Sequence, residues 1–273
     1  MTTFIAWVGS DSRGTASINF ATDSRISWGN NGNTHWDMAR KTFSSSFSAD
    51  IFAYVNDVMF PSMVLGQIIN AIDNGILFGS DEKIEFRFDK VKEYIINSHR
   101  FFPTRYRQSF CIFHAARSGT GLNSEFAINK ISWDKSKDNW EITCLSIPAT
   151  SSIITVDGSG KNVVKKWSER WNSSSQGGTS RSVFSAFCNA IYSSEDKFTS
   201  GSPQIVSLYR NGFGKNIGFV DSGRMYLSGA ELLNHTNEHT SNIEWRNRYF
   251  ERCEISGTLI QNAKKHHIPK GLT

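Results

Sequence analysis

Two pairs of helices set between blocks of strands are the feature that most restricts this fold. Short runs rich in β-branched and aromatic residues, bounded by turn formers, read as strands. They fall at 1–9, 21–27, around 42–43, and at 51–55, 110–115, 125–133, 140–147, 153–156, 205–209, 216–220 and 225–227. Between strands 51–55 and 110–115, two helical patterns occur in succession, and two more occur between 153–156 and 205–209. A crossover between parallel strands uses one helix, so paired helices exclude a βαβ repeat. They fit an α+β, four-layer αββα sandwich, in which two antiparallel sheets pack face to face under outer helix pairs.

The helices carry their own signals. Met59, Phe60, Met63, Val64, Ile68, Ile69 and Ile72 recur at helical spacing from about residue 58, with Pro61 in the first turn and Asn74-Gly75 at the end. Asp89 is a good N-cap for a second helix that Pro103 stops. A third runs over 161–171, and a fourth carries Val183, Phe184, Phe187 and Ile191. Strand 51–55 is apolar throughout, as a strand covered on both faces must be. The main domain spans 1–228, and 229–273 reads as a C-terminal extension suited to oligomer or partner contacts. It holds a polar loop at 235–242 and ends near His266-His267, which reads as a frayed tail.

Composition excludes several classes. An apolar fraction of 38% over 273 residues supports a sizeable core. No run is long enough to span a bilayer, and no basic-then-apolar leader is present, so no membrane partner is expected. Cys111, Cys144, Cys188 and Cys253 are scattered without metal-type spacing, which reads as reduced thiols in a cytoplasmic protein. The seven histidines form no metal-ligand cluster, so no metal and no cofactor are expected. A net charge of +5 is modest and spread along the chain; it gives weak support for nucleic-acid binding and mostly means solvated surface, and with no basic face to be located nucleic acid is not expected as a partner.

The N-terminus carries the chemistry. Removal of Met1 before a small residue would leave Thr2 with a hydroxyl and a free α-amine, pairing a nucleophile with its own base. A free α-amine titrates near ~8, so part of it can accept a proton at cell pH. Read alone, Met-Thr-Thr is an ordinary start to a strand.

Five segments together resemble the proteasome β-subunit and the bacterial HslV peptidase, both N-terminal-nucleophile hydrolases. They are Thr2-Thr3-Phe4-Ile5, Ala21-Thr22-Asp23-Ser24-Arg25-Ile26-Ser27, Ala39-Arg40-Lys41-Thr42-Phe43, Asp157-Gly158-Ser159-Gly160, and Asp196-Lys197-Phe198-Thr199-Ser200-Gly201. The resemblance covers about 2–228 and implies the proteasome-like sandwich and a threonine-type peptidase.

It further implies roles. Thr2 attacks an amide carbonyl, and Lys41, held by Asp23, stabilises the developing alkoxide. Ser159, Asp196 and Thr199 position the amine and its water. Backbone donors near Asn56 receive the oxyanion, and Ser27 binds extended substrate. Asn56 stands where the family usually has glycine, and Thr199 where it has serine. Arg25 is expected to pair with Asp196 or with solvent. The family works in rings, so homo-oligomerisation is implied, with a peptide or protein substrate. Any ATPase or regulatory partner is left unidentified. Two alternatives stay open: an amidase of the same type acting on a small molecule, and an inactive scaffold subunit. Taken one at a time, Asp23 and Ser159 suit turns or caps, and Lys41 and Asp196 suit solvated surface.

Overall fold

A computed structural model describes residues 2–29, 32–233, 242–265 and 267–272. In chain order the elements are β1 (Thr3–Asp11), β2 (Gly14–Thr22), β3 (Ile26–Trp28), β4 (Thr34–Trp36), β5 (Thr42–Ser44) and β6 (Asp50–Asn56). The helices α1 (Met59–Asp73) and α2 (Ile84–Phe101) follow, then β7 (Phe110–Ser118), β8 (Glu125–Asp134), β9 (Asn139–Cys144) and β10 (Ser152–Gly158). Next come α3 (Lys161–Asn172), α4 (Ser180–Tyr192), β11 (Gln204–Tyr209), β12 (Lys215–Asp221), β13 (Arg224–Leu227), β14 (Ala230–Glu231) and β15 (Glu244–Asn247).

One sheet runs β10-β1-β2-β11-β12-β13-β14, and a second runs β5-β6-β7-β8-β9. Their neighbouring strands are antiparallel, and among the described residues only β15 pairs in parallel, against β12. In strand β1 residues 4–8 are apolar without interruption because both of its faces are covered. Phe4, Ala6 and Val8 point into a cluster shared with Ile51, Ala53, Val55 and Phe113 of the other sheet. Ile5 and Trp7 point the opposite way, to Val164, Val183, Phe184 and Phe187 of α3 and α4. Strand β6 has the same two-faced character, with Phe52 and Tyr54 packed against Val64, Leu65, Ile68, Val91 and Ile95 of α1 and α2. Period-two alternation therefore feeds two different cores from one strand.

Several expectations need correction. Helix α2 begins at Ile84, and Asp89 lies inside it, paired with Lys92. Burial of Ile84 and Phe88 against Ala116 fixes the start, outweighing the capping preference of Asp89. The expected strand over 21–27 breaks after Thr22, and the chain leaves the sheet to form the β3–β4 hairpin. Strand β9 ends at Cys144, short of residue 147.

The segment after 228 is joined to the sheet through β14 and β15. Trp245 lies on Gly218, where an added Cβ would sit 2.3 Å from the indole ring. Phe250 packs with Trp7 and Phe184, and Leu272 with Trp171 and Ala186. Most of the expected loop at 235–242, and His266, lie outside the described residues, whereas His267 is exposed. Among the described residues no helix is long and apolar enough to cross a membrane.

Candidate functional site

The register of β1 on β2 builds the site. Phe4 pairs with Thr22, which puts the next residue, Asp23, opposite Thr3. Asp23 N donates to Thr3 O at 3.2 Å, and Thr3 N donates to Asp23 Oδ1 at 2.9 Å. The carboxylate therefore sits where the sheet pairing ends. Its second oxygen, Oδ2, accepts from Arg25 N at 3.0 Å and Ser200 N at 3.3 Å.

Lys41, just before β5, is fully buried. Its Nζ donates to Asp23 Oδ1 at 2.9 Å and to Arg25 O at 2.5 Å. One carboxylate oxygen thus joins the lysine ammonium to the backbone of the N-terminal strand. Burial pulls the Lys41 pKa below the ordinary lysine value, against the opposing attraction of Asp23. An ammonium cut off from water needs its partners, and here a carboxylate and a carbonyl supply them.

The turn from β10 into α3 closes the other side. Ser159 N donates to Thr2 O at 3.0 Å, and Gly160 N donates to Thr3 Oγ1 at 3.0 Å. Gly158 has φ +93°, and a Cβ there would lie 1.7 Å from Thr2 O, so glycine is required on both conformational and steric grounds. Thr199 Oγ1 donates to Asp196 Oδ2 at 2.6 Å and lies 2.5 Å from Thr3 Oγ1. Because the Thr199 proton goes to the carboxylate, the Thr3 hydroxyl is the donor to Thr199. Thr2 itself is fully buried, and its Oγ1 has no hydrogen-bond partner among the described residues.

No family model matches this chain, and no curated protein sequence matches it. Among solved structures the chain is similar to the eukaryotic HslV from Trypanosoma brucei, at 10% sequence identity over 77% of this chain and 99% of that one. The TM-score is 0.45. A likeness at that score carries no weight for activity, and the chemistry of the site stands on the contacts just given.

Asp23, Lys41, Ser159, Asp196 and Thr199 therefore converge on residues 2 and 3. Ser27 and Asn56 lie at the margins. Ser27 is in β3 opposite His35, with its hydroxyl buried and without a partner among the described residues. Asn56 ends β6 at φ +75°, a left-handed conformation that asparagine tolerates better than most side chains. Two residues earlier on that strand, Tyr54 N donates to Lys41 O at 3.3 Å.

Three features lay beyond sequence reasoning. Arg25 pairs with Asp37, not with Asp196 or solvent. Its Nε and one terminal nitrogen meet the two carboxylate oxygens at 2.7 and 2.8 Å, and its other terminal nitrogen donates to Lys197 O at 3.0 Å. The Arg25 guanidinium holds the Asp37 carboxyl below its ordinary range. Thr3, read as a plain strand former, supplies the hydroxyl that reaches Thr199. Gln204 places its amide among the backbones of Asp23, Ala39 and Lys41. A glutamine at the start of a strand gives no hint of that burial.

Proposed function

We propose that this chain is a threonine-type peptidase of the N-terminal-nucleophile class, built on a four-layer αββα sandwich, with Thr2 as nucleophile once Met1 is removed. The observation that carries the reading is the sealed Lys41–Asp23 pair, bonded through one carboxylate oxygen to the strand that begins at Thr3. A lysine buried there, with its pKa depressed by burial, is costly to the fold. It earns its place if it stabilises an alkoxide on the neighbouring residue.

In this reading the Thr2 hydroxyl oxygen attacks the carbonyl carbon of a peptide bond while the α-amine takes the hydroxyl proton. Backbone N–H groups where β6 gives way near Asn56 receive the oxyanion. The C–N bond then breaks, and the leaving amine takes the proton from the α-ammonium. Water attacks the resulting ester and gives a proton to the α-amine; the bond from the acyl carbon to Thr2 Oγ then breaks, Oγ takes that proton back, and the carboxylate leaves. Lys41 stays charged at the moment the alkoxide forms, and Asp23 holds it. Ser159, Asp196 and Thr199 fix the loops that flank the amine, and the open edge of β3 at Ser27 receives substrate as an added strand. A homo-oligomeric ring in the cytoplasm, as in the family the sequence resembles, belongs to the same reading.

Hydrolysis of unstructured peptides by the Met1-free protein, set against a small free amide, tests it. The reading expects peptide cleavage that Thr2→Ala abolishes. Cleavage of the small amide alone would reassign the chain as an amidase, and cleavage of neither would leave a scaffold.

A further inference from the structure

Gln204 opens β11 directly opposite Thr22, so its backbone already borders the turn that carries Asp23. Its side chain is 1% exposed. The amide oxygen accepts from Lys41 N at 2.9 Å. The amide nitrogen donates to Ala39 O at 2.7 Å, Ser24 Oγ at 3.0 Å and Asp23 O at 3.1 Å. This orientation of the amide is dictated by its partners, because the two carbonyls only accept and the backbone N–H only donates. Ser24 Oγ in turn donates to Ser202 O. Gly229, at φ +88°, closes the hub, and a Cβ there would come within 3.0 Å of Ser24 Oγ, Ala39 O and the Gln204 amide.

One neutral side chain thus binds the main chain on both sides of the buried ion pair, at Asp23 O and Lys41 N. The structure assigns Gln204 a positioning role: it sets the separation of the Asp23 and Lys41 backbones and thereby the place of the Lys41 ammonium beside residues 2 and 3. The inference rests on the hydrolase reading for its consequence in catalysis, though not for its effect on Lys41. The chemistry needs an amide. A carboxylate would face two carbonyls that cannot donate to it, and an apolar side chain would strand a buried N–H and two buried carbonyls. No contact from Gln204 to the Thr2 hydroxyl is invoked, so it acts through Lys41 and Asp23. The charged groups that act on Lys41 are Asp23, Asp37 and Arg25.

The experiment uses Gln204→Glu, which keeps the shape and changes the donor set. Two readouts are taken on the full chain after Met1 removal. One is the rate of Thr2 acylation by a peptidyl electrophile. The other is the titration of Lys41, followed by NMR of protein labelled at lysine Cε and assigned with Lys41→Arg. The expected result is acylation slowed by about 100-fold, with the Lys41 titration moved upward by the added carboxylate. A folded Gln204→Glu protein with wild-type acylation and wild-type Lys41 titration would overturn the assignment. If the wild type is not acylated at all, the hydrolase reading fails, and the Lys41 titration in Ser24→Ala, which adds no charge, decides the positioning role. Should Gln204→Glu fail to fold, Ser24→Ala removes one hydroxyl from the same hub. Unchanged Lys41 titration in that variant would overturn the assignment, and a displaced one would support it.

Discussion

Two buried ion pairs in this molecule are alike in depth and unlike in chemistry. Lys41 meets Asp23 at 2.9 Å, and Arg87 meets Asp50 at 2.6 Å, all four side chains at most 1% exposed. Around Asp50 the partners are an arginine, Ser48 Oγ at 2.6 Å and His114 Nε2 at 2.7 Å. Arg87 also donates to Arg117 O, and His114 is stacked on Phe52. An arginine cannot give up its proton, so that cluster is a fixed clamp between α2 and the second sheet. Around Asp23 the cation is a lysine, whose pKa burial lowers against the attraction of Asp23, and the carboxylate also holds the backbone of the N-terminal strand. Burial of charge does not by itself mark a functional site. In the proposed reading, the kind of cation and its hydrogen-bonded link to the strand that carries the reactive group set the two pairs apart.

The largest effect should come from removing the cation of either pair. Lys41→Met and Arg87→Met each leave a buried carboxylate uncompensated and should cost about 3–5 kcal/mol in urea unfolding. Their effects on chemistry should diverge. Lys41→Met should slow acylation of Thr2 by about 10²–10³-fold, as loss of an alkoxide-stabilising group does. Arg87→Met should leave the acylation rate of the folded fraction unchanged. Equal slowing in both variants would erase the distinction between the two pairs.

A smaller effect is expected with pH. Burial holds the His114 pKa below its ordinary value of 6.5, and it pushes His99 down to about 4. As pH falls through about 6.5, the unfolded chain therefore takes up protons that the folded chain does not. Stability should drop with acid over that window, by at most about 1.4 kcal/mol per pH unit for each histidine. The Asp50 carboxyl, lowered by His114, Arg87 and Ser48 against its burial, adds a loss of the same sign below its ordinary value of 3.8. His114→Phe, placed between Phe52 and Phe88, should flatten the drop between pH 6.5 and 5 while leaving the His99 part. Urea midpoints across that range check it, and an equally steep drop in the variant would show that His114 is not buried uncharged.

What could be read from the sequence was whatever local pattern alone enforces. The strand at 1–9, the two-faced apolar strand at 51–55, the helical spacing of Met59 to Ile72 and the order of paired helices all survive as β1, β6, α1 and the chain order of the elements. The β3–β4 hairpin was missed because each strand has three residues, too few to show alternation. The parallel pairing of β15 with β12 depends on residues far apart in sequence. At the candidate site, the resemblance supplied Asp23, Lys41, Ser159, Asp196 and Thr199. It could not supply Arg25 with Asp37, Thr3 with Thr199, or the amide of Gln204, because burial of a polar side chain is decided by what folds over it.

We propose Thr2 as a nucleophile prepared by Lys41 and Asp23. Intact mass before and after incubation with an electrophile that bonds an N-terminal threonine through its hydroxyl tests it most directly, with Thr2→Ala alongside. The expected result is a chain that has lost Met1 and gains one adduct, absent from Thr2→Ala. A processed chain that gains no adduct, or one that gains it equally in Thr2→Ala, would contradict it.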